Sequence, residues 1–140
     1  MQHKVFVQEY LHCRVDYDWL YGYQCTDLVK QYAKEVLLSP INSFNGSACN
    51  ADERTFGAKY IKIIPWPWKN AKQGDILIQD KTRYLPHWHT GIVNSADNLW
   101  YYLLEQNAYS GRWQWLGKDA IRVTFYKRSQ TPVKAFWRKK

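Results

Sequence analysis

The fold is indicated most clearly by one stretch, residues 25–38, which reads CTDLVKQYAKEVLL. Its apolar residues recur at steps of one, three and four, which places them on one face of a helix; they are Leu28, Val29, Tyr32, Ala33, Val36 and Leu37. Thr26 and Asp27 fall in the first turn, where a hydroxyl or carboxylate satisfies free backbone amides and suits the helix dipole. Ser39-Pro40 ends the pattern, because the residue before a proline disfavours helical geometry. We therefore predict a helix from Cys25 to Leu38.

The segments around this helix indicate the fold class. Residues 4–11 predict a short helix, residues 12–24 and 42–52 predict loops, and Trp66-Pro67-Trp68 predicts a rigid extended piece. Strand patterns follow in the second half, at Asp75–Gln79, Thr90–Asn94, Leu99–Gln106, Arg122–Tyr126 and Lys134–Arg138. The link Ala96-Asp97-Asn98 is short enough for a hairpin between the second and third of these strands. Helices first and strands later predict an α+β domain with an antiparallel sheet.

Length and composition limit the protein class. The chain has 140 residues, enough for one domain with a hydrophobic core, so we treat residues 1–140 as a single domain. Hydrophobic residues make up 46% and charged residues 23%, which excludes a disordered chain. No apolar run is long enough to span a bilayer, and the first residues do not form a signal peptide. The net charge of +8 favours anionic partners, namely nucleic acid, acidic membranes or cell-wall polymers, without choosing among them.

The cysteine count leaves a free thiol to explain. Cys13, Cys25 and Cys49 cannot all pair within one chain. Cys25 opens the predicted helix, where free amides and the helix dipole favour a thiolate. Cys13 and Cys49 lack such a setting, and we interpret both as structural. By itself, a cysteine at a helix start is more often a small buried residue than a nucleophile.

A cysteine nucleophile needs a proton carrier and an acceptor that orients it. His89 directly precedes the strand predicted at Thr90–Asn94, a rigid support, and its position favours it over His87. The pair could instead bind a metal, although no third ligand follows at a matching spacing. Glu105 and Asn107 end the next strand and point to the same face. Both could approach the imidazole if a hairpin sets the two strands side by side; the alternative is an ordinary polar strand end.

Four motifs appear in an informative order. They read YGYQCTDLV at 21–29, GDILI at 74–78, HTGIV at 89–93 and LEQN at 104–107. Together they resemble the CHAP family, the cysteine, histidine-dependent amidohydrolase/peptidases, and above all the catalytic domains of phage endolysins that act on Gram-positive walls. The resemblance covers nearly the whole chain. It implies a papain-like α+β fold and hydrolysis of an amide bond of peptidoglycan. The cut would be an endopeptidase cut in the stem or cross-bridge, or an amidase cut between muramic acid and L-alanine.

The resemblance also implies a role for each matching residue. Cys25 is then the nucleophile, and His89 is the general base and afterwards the general acid. Glu105 would orient His89, while Asn107 would support the site or the oxyanion. The oxyanion hole would be formed by the backbone amide of Cys25 and the side chain of Gln24.

An acidic loop precedes the nucleophile. Positions 1, 3, 5, 7 and 12 of a twelve-residue stretch, the ligand positions of an EF-hand calcium loop, are occupied by Asp16, Asp18, Leu20, Gly22 and Asp27. Spacing alone does not establish a calcium site, because Leu20 offers only its carbonyl, Tyr21 replaces the turn glycine and Asp27 replaces the usual glutamate. The resemblance implies one, since several endolysin domains of this family carry Ca²⁺ in this loop on carboxylates that match the three aspartates. The ion would fix the aim of the thiol, a structural role.

The resemblance implies peptidoglycan as the partner, with neither nucleic acid nor membrane. It also implies a monomer or the catalytic part of a larger lysin, made by a phage in the host cytoplasm or secreted, and acting on the cell wall. Aromatic residues make up 17% of the chain. Some would form the core, and candidate walls of a substrate groove are Trp19, Tyr21, Tyr23, Trp66, Trp68, Trp88 and Trp113.

A second hypothesis comes from a different class of protein. A non-catalytic binder of cell-wall polymer or single-stranded nucleic acid would use basic and aromatic side chains. It explains the net charge of +8 and the many aromatic residues. It does not explain why the four motifs with their Cys, His, Glu and Asn residues occur in this order.

Overall fold

The computed structural model describes residues 1–20, 22–41, 44, 51–64, 71–80, 89–107, 120–128 and 133–140. The helices are α1 (His3–Tyr10), α2 (Cys25–Glu35) and α3 (Glu53–Phe56), the last followed by a 3-10 turn at Gly57–Lys59. The strands are β1 (Tyr60–Ile63), β2 (Ile76–Gln79), β3 (Thr90–Ala96), β4 (Trp100–Glu105), β5 (Arg122–Lys127) and β6 (Val133–Lys139). The segment predicted at Trp66-Pro67-Trp68 and most of the loop predicted at 42–52 lie outside the described residues.

These strands form one six-stranded antiparallel sheet in the order β1-β6-β2-β3-β4-β5. The predicted α+β class is therefore confirmed, and each predicted strand overlaps an observed one. The predicted hairpin joins β3 to β4, where Oδ1 of Asp97 accepts hydrogen bonds of 2.8 Å from the backbone N–H groups of Leu99 and Trp100. Strand β1 was not predicted, because only its first residue, Tyr60, is well buried and the strand shows no clear alternation.

Helix α2 ends at Glu35, so the predicted end at Leu38 was wrong. Leu38 has a φ of 50°, in the left-handed region, and reverses the chain. The N–H of Ser39 then donates to the carbonyl of Ala33 at 2.9 Å, a bond that closes the helix end. Val36 still packs against the core. The apolar pattern therefore continues past the helix and concealed its end.

The core fixes α2 over the middle of the sheet, where it lies against β3. The helix-facing cluster includes the buried side chains Leu28, Val29, Tyr32, Ile76, Ile92 and Leu104. Alternate strand residues point to the opposite face, and there Leu77, Val93, Tyr101, Leu103 and Phe136 form a second cluster. This packing fixes the start of α2 relative to β3 and β4. No helix in the described part of the chain has the length and apolar character to cross a bilayer.

Candidate active site

Cys25 is the first residue of α2, and only 9% of it is exposed. The first turn is closed on itself, because the N–H of Gln24 donates to Oδ2 of Asp27 at 2.8 Å and the N–H of Asp27 donates to the carbonyl of Gln24 at 3.1 Å. The direction of the thiol is therefore fixed by the helix start. Cys13 is also a free thiol but is exposed, and Cys49 lies outside the described residues.

His89 and Glu105 form the buried centre of the site. His89 lies just before β3 and Glu105 ends β4, and the hairpin brings Nε2 of the imidazole to 2.9 Å from Oε2 of the carboxylate. Both side chains are almost completely buried. Tyr126 on β5 donates its hydroxyl to the other carboxylate oxygen, Oε1, at 2.7 Å. Both oxygens of Glu105 are thus held, and the imidazole ring is held with them.

Gly91 lets the two strands approach at this point. A Cβ at position 91 would lie 3.1 Å from the carbonyl oxygen of Leu104 and 3.3 Å from Cβ of Glu105. Such distances are tighter than ordinary van der Waals contacts, so a larger residue would push β4 away from β3. Glycine therefore allows the close spacing at which Glu105 reaches His89.

The charge state of His89 is set by opposing effects. Burial lowers the pKa of this imidazole, but the charge of Glu105, the nearby Cys25 side chain and the hydrogen bond to Glu105 outweigh it, so the pKa of His89 is raised well above its usual range. With Nε2 on Glu105, the remaining ring nitrogen is Nδ1, which is buried and has no hydrogen bond of ordinary geometry to any described residue. The arrangement favours a proton on the imidazole and leaves Nδ1 for the thiol side of the site.

Asn107 contacts Gln24, the residue that precedes Cys25. Its Nδ2 donates to Oε1 of Gln24 at 3.1 Å, and its backbone has a φ of 59°. Asparagine tolerates this left-handed geometry better than most residues do. Asn107 is 1% exposed, so the contact lies inside the protein. It connects the end of β4 with the start of α2.

The three aspartates of the acidic loop converge. Asp16, Asp18 and Asp27 each offer a carboxylate oxygen within 4.8 Å of the others. Oδ1 of Asp16 is buried and has no hydrogen-bond partner among the described residues. Oδ2 of Asp18 lies 2.6 Å from Nζ of Lys30, a buried lysine on α2, and Oδ1 of Asp18 accepts the N–H of Leu20 at 3.1 Å.

This cluster has the charge and geometry of a cation site. Burial and then the charges of Asp18 and Asp16 raise the pKa of Asp27 to about 6, although its hydrogen bond from Gln24 opposes the rise. Hard divalent cations prefer such oxygen ligands, so the three carboxylates and the unsatisfied oxygen of Asp16 fit Ca²⁺. Gly22, a predicted ligand through its carbonyl, has a φ of 71°.

Only two of the predicted groove aromatics lie among the described residues. Trp19 is 86% exposed and has a φ of 60°, so the loop presents its indole to solvent. Tyr23 is partly exposed, with the guanidinium of Arg14 5.8 Å from its ring centre. The others, and the alternative histidine, lie outside the described residues; they are Tyr21, Trp66, Trp68, Trp88, Trp113 and His87.

Sequence reasoning missed three residues that contact this site. Tyr126 binds Glu105, Lys30 binds Asp18, and Gln106 binds the backbone on both sides of the acidic loop. Gln106 lies within the LEQN motif, between two predicted residues, but nothing in the motif shows which way its side chain turns. Tyr126 and Lys30 carry no local signal, because their contacts depend on strand register and helix rotation.

Known proteins are similar to this chain in sequence or in fold. The CHAP domain family model matches residues 16–107. The endolysin PlyTW of Staphylococcus phage Twort is 30% identical over 110 residues, which is 76% of this chain and 23% of PlyTW. The crystal structure of endolysin LysIME-EF1 superposes with a TM-score of 0.72 at 20% identity, covering 96% of this chain and 61% of that one. The crystal structure of Ly7917 gives a TM-score of 0.65 at 15% identity, covering 96% and 60%.

These comparisons agree with the fold and with the order of the motifs. The family model spans the acidic loop, the start of α2, the β3–β4 hairpin and the last residue of the LEQN motif. The chain spans less than two thirds of each relative and neighbour named above. The match to the family model covers well over half of the chain. This chain belongs to the CHAP domain family.

Proposed function

We propose that this chain hydrolyses an amide bond of bacterial peptidoglycan, with Cys25 as the nucleophile. The observation that carries the proposal is the buried His89, which is bonded to Glu105 through Nε2 at 2.9 Å and has its pKa raised by both Glu105 and Cys25. A thiol, an imidazole and an orienting carboxylate in this order are the parts that cysteine hydrolases need. The wall substrate is supported by the similarity to PlyTW, whose name describes it as an endolysin.

The reactive form of the site would pair a thiolate with an imidazolium. Burial alone would remove the proton from His89, but the Glu105 carboxylate stabilises the charged ring. In this form the proton of Cys25 has moved to His89, and the sulfur can attack the substrate. This places the proton where the leaving group will need it.

The chemistry proceeds in two steps. The thiolate of Cys25 attacks the carbonyl carbon of the scissile amide, a C–S bond forms, and the carbonyl electron pair moves to oxygen. As this intermediate collapses, the C–N bond breaks, His89 gives its proton to the leaving amine, and a thioester remains. His89 then takes a proton from water while the water oxygen attacks the thioester. The C–S bond breaks, and the acid is released with the thiolate and imidazolium restored.

The oxyanion of each step would be bound at the start of α2. The N–H of Cys25 belongs to the first turn, whose amides lack partners within the helix. We propose the side-chain amide of Gln24 as the second donor. Its Oε1 accepts from Nδ2 of Asn107 at 3.1 Å, which fixes the plane of the amide group. Asn107 would thus act on the oxyanion hole through Gln24.

We also propose that the acidic loop holds Ca²⁺ on Asp16, Asp18 and Asp27, with the carbonyls of Leu20 and Gly22 as further ligands. The convergence of the three carboxylates within 4.8 Å and the unsatisfied Oδ1 of Asp16 support this. The ion would supply positive charge to a crowded acidic cluster. Asp27 would then connect the loop with the first turn of α2, because its Oδ2 also accepts the N–H of Gln24.

The test is mass spectrometry of the fragments released from purified walls of several Gram-positive species. New peptide termini in the stem or cross-bridge would identify an endopeptidase, whereas separation of muramic acid from L-alanine would identify an amidase. We expect Cys25→Ala to release nothing and Cys13→Ala, which removes the exposed thiol, to act as the wild type does. Wall cleavage by folded Cys25→Ala, or no cleavage of any wall by the wild type, would contradict the proposal. A wild type that binds walls without cutting them would favour the non-catalytic binder.

A further inference from the structure

Three consecutive side chains at the end of β4 are buried together. Glu105, Gln106 and Asn107 are 0%, 0% and 1% exposed. Consecutive residues of a strand normally point to opposite faces, but β4 ends at Glu105 and Asn107 has a φ of 59°. The chain therefore turns here, and all three side chains enter the protein.

The side chain of Gln106 joins two distant segments of backbone. Its Oε1 accepts the N–H of Val15 at 2.7 Å, and its Nε2 donates to the carbonyl of Val15 at 2.7 Å. The same Nε2 donates to the carbonyl of Gln24 at 2.8 Å. Val15 directly precedes Asp16, the first residue of the acidic loop, and Gln24 is the last residue before α2; neither belongs to a helix or strand. One side chain thus closes the base of this loop.

The location of these bonds relates them to the reacting groups. Gln24 directly precedes the nucleophile Cys25, and Gln106 directly follows Glu105, which holds His89. The bond from Gln106 to Gln24 therefore connects the element that carries the thiol with the element that carries the acceptor of the imidazole. A shift at either end would change the distance between sulfur and ring nitrogen.

We propose that Gln106 is a positioning residue for the hydrolysis, holding the start of α2 in register with the His89–Glu105 pair by closing the loop from Val15 to Gln24. The proposal rests on the proposed function of Cys25. Gln106 touches neither substrate nor the reacting atoms; it acts through the backbone of Gln24.

The chemistry of the amide explains why glutamine suits this position. The site presents one N–H donor and two carbonyl acceptors, and a side-chain amide satisfies all three. A glutamate of the same shape can still accept from the N–H of Val15. Its second carboxylate oxygen, however, would repel the carbonyl oxygens of Val15 and Gln24. A leucine leaves the N–H and the carbonyl of Val15 without this partner, and it leaves the carbonyl of Gln24 with the N–H of Asp27. Each substitution therefore loosens the base of the loop while leaving Cys25, His89 and Glu105 in the sequence.

The experiment compares Gln106→Glu and Gln106→Leu with Tyr60→Phe. The control removes a different buried hydrogen bond. In this bond Tyr60, on the edge strand β1, donates its hydroxyl to the carbonyl of Ser39 at 2.6 Å. Two measurements are made at a temperature where circular dichroism shows every variant folded. They are the pH dependence of Cys25 alkylation by iodoacetamide, and kcat and KM on purified walls.

We expect both Gln106 variants to shift the pH profile of alkylation and to lower kcat about 10-fold to 100-fold with little change in KM, because small misplacements of reacting groups cost rates of this order. Tyr60→Phe should keep the wild-type profile and kcat. Gln106 variants that match Tyr60→Phe in both measurements would overturn the proposal. Alkylation needs no substrate, so a shifted profile supports the positioning of Cys25 even if the wild type cuts no wall and the proposed function fails.

A measurement on the wild type covers the case in which the variants do not fold. Hydrogen exchange should show the amide of Val15 protected although it lies outside every helix and strand, because it donates to the buried Gln106. The neighbouring, exposed Arg14 provides the reference amide. Exchange of Val15 as fast as that of Arg14 would overturn the proposal.

Discussion

Tyr126 donates a hydrogen bond of 2.7 Å to Oε1 of Glu105, the carboxylate oxygen that His89 does not use. The bond comes from β5, a strand at the edge of the sheet, and reaches the centre of the proposed site. A carboxylate held at both oxygens cannot rotate, and neither can the imidazole bonded to it. The edge strand thus contributes to the orientation of His89.

Tyr126→Phe should lower kcat about 3-fold to 30-fold and destabilise the fold by roughly 1.5–3 kcal/mol, the usual worth of a hydrogen bond to a charged group. Wall lysis rates and urea unfolding measure the two effects. Tyr102→Phe is the matched control, because Tyr102 on β4 makes only a long, exposed contact of 3.5 Å to Asp97. Equal activity of the two variants would show that Tyr126 does not orient Glu105.

The raised pKa of His89 predicts a dependence of stability on pH. Because the folded pKa lies above the ordinary value of 6.5, the charged ring stabilises the fold fully below about pH 6.5. This contribution is lost as the pH rises through the folded pKa. In a Cys25→Ser background, which removes the contribution of the thiol and leaves Glu105 to raise the pKa of His89, the free energy of unfolding should still fall as pH is raised from about 6.5.

Glu105→Gln in that background tests the cause, because it keeps the shape of the side chain and removes the charge that raises the pKa of His89. Burial then dominates and the downward slope should disappear. Glu53→Gln, at an exposed residue of α3, should leave the slope unchanged. A slope that survives Glu105→Gln would refute the assignment to the His89–Glu105 pair.

The ion pair between Lys30 and Asp18 affects how strongly the stability of the acidic loop should depend on Ca²⁺. Its ammonium group is buried and lies 2.6 Å from Asp18, so it already neutralises part of the cluster. Lys30→Met should lower the Tm of chelator-treated protein by several degrees, because it leaves buried carboxylates uncompensated. Added Ca²⁺ should restore much of this loss and bind with a larger calorimetric signal than in the wild type.

Lys34→Met is the control for this prediction. Lys34 lies one turn further along α2, is exposed, and contacts the ring of Tyr17 at 5.8 Å rather than a carboxylate. It should lower Tm equally with and without Ca²⁺, if at all. If Lys30→Met also lowers Tm equally with and without Ca²⁺, the ammonium group of Lys30 does not substitute for a bound cation.

Gly91→Ala should separate β4 from β3 and weaken the contact of Glu105 with His89. The new Cβ would lie 3.1 Å from a backbone oxygen that cannot move freely, and we expect a loss of about 1–3 kcal/mol in stability together with a lower kcat. Gly57→Ala is the comparison: it introduces strain at a φ of 65° but meets no atom within 4 Å. Stability should fall in both variants and kcat only in the first. Unchanged kcat in Gly91→Ala would contradict the close-approach argument.

Much of the fold follows from local patterns. The apolar stripe predicted α2, and strand patterns predicted β2 to β6 within one or two residues at each end. The end of α2 was wrong because Leu38 adopts a left-handed conformation that its sequence does not signal. Strand β1 was not predicted because it pairs with β6, which is far along the chain, and because most of the strand is exposed.

The site shows the same division. The start of α2 positions Cys25, and the β3–β4 hairpin brings His89 to Glu105. Both the helix start and the hairpin were predictable from sequence. The contacts of Tyr126 and Gln106 depend on the register between β4 and β5 and on the turn at 105–107, which are set by tertiary packing. Sequence reasoning therefore proposed residues of distinctive chemistry that the fold brings together, and it missed the residues that hold them.

The closed base of the acidic loop has a consequence for engineering. Val15 and Gln24 are fixed by one buried side chain, while the exposed residues Trp19 and Leu20 lie between them near the middle of the loop. Because Gln106 holds both Val15 and Gln24, a change of side chain at position 19 or 20 should leave the backbone of Gln24 in place. A library randomised at those two positions, excluding proline, could be screened for activity on different bacterial walls. We expect little loss of kcat, because the hydrogen bonds of Gln106 to Val15 and Gln24 remain.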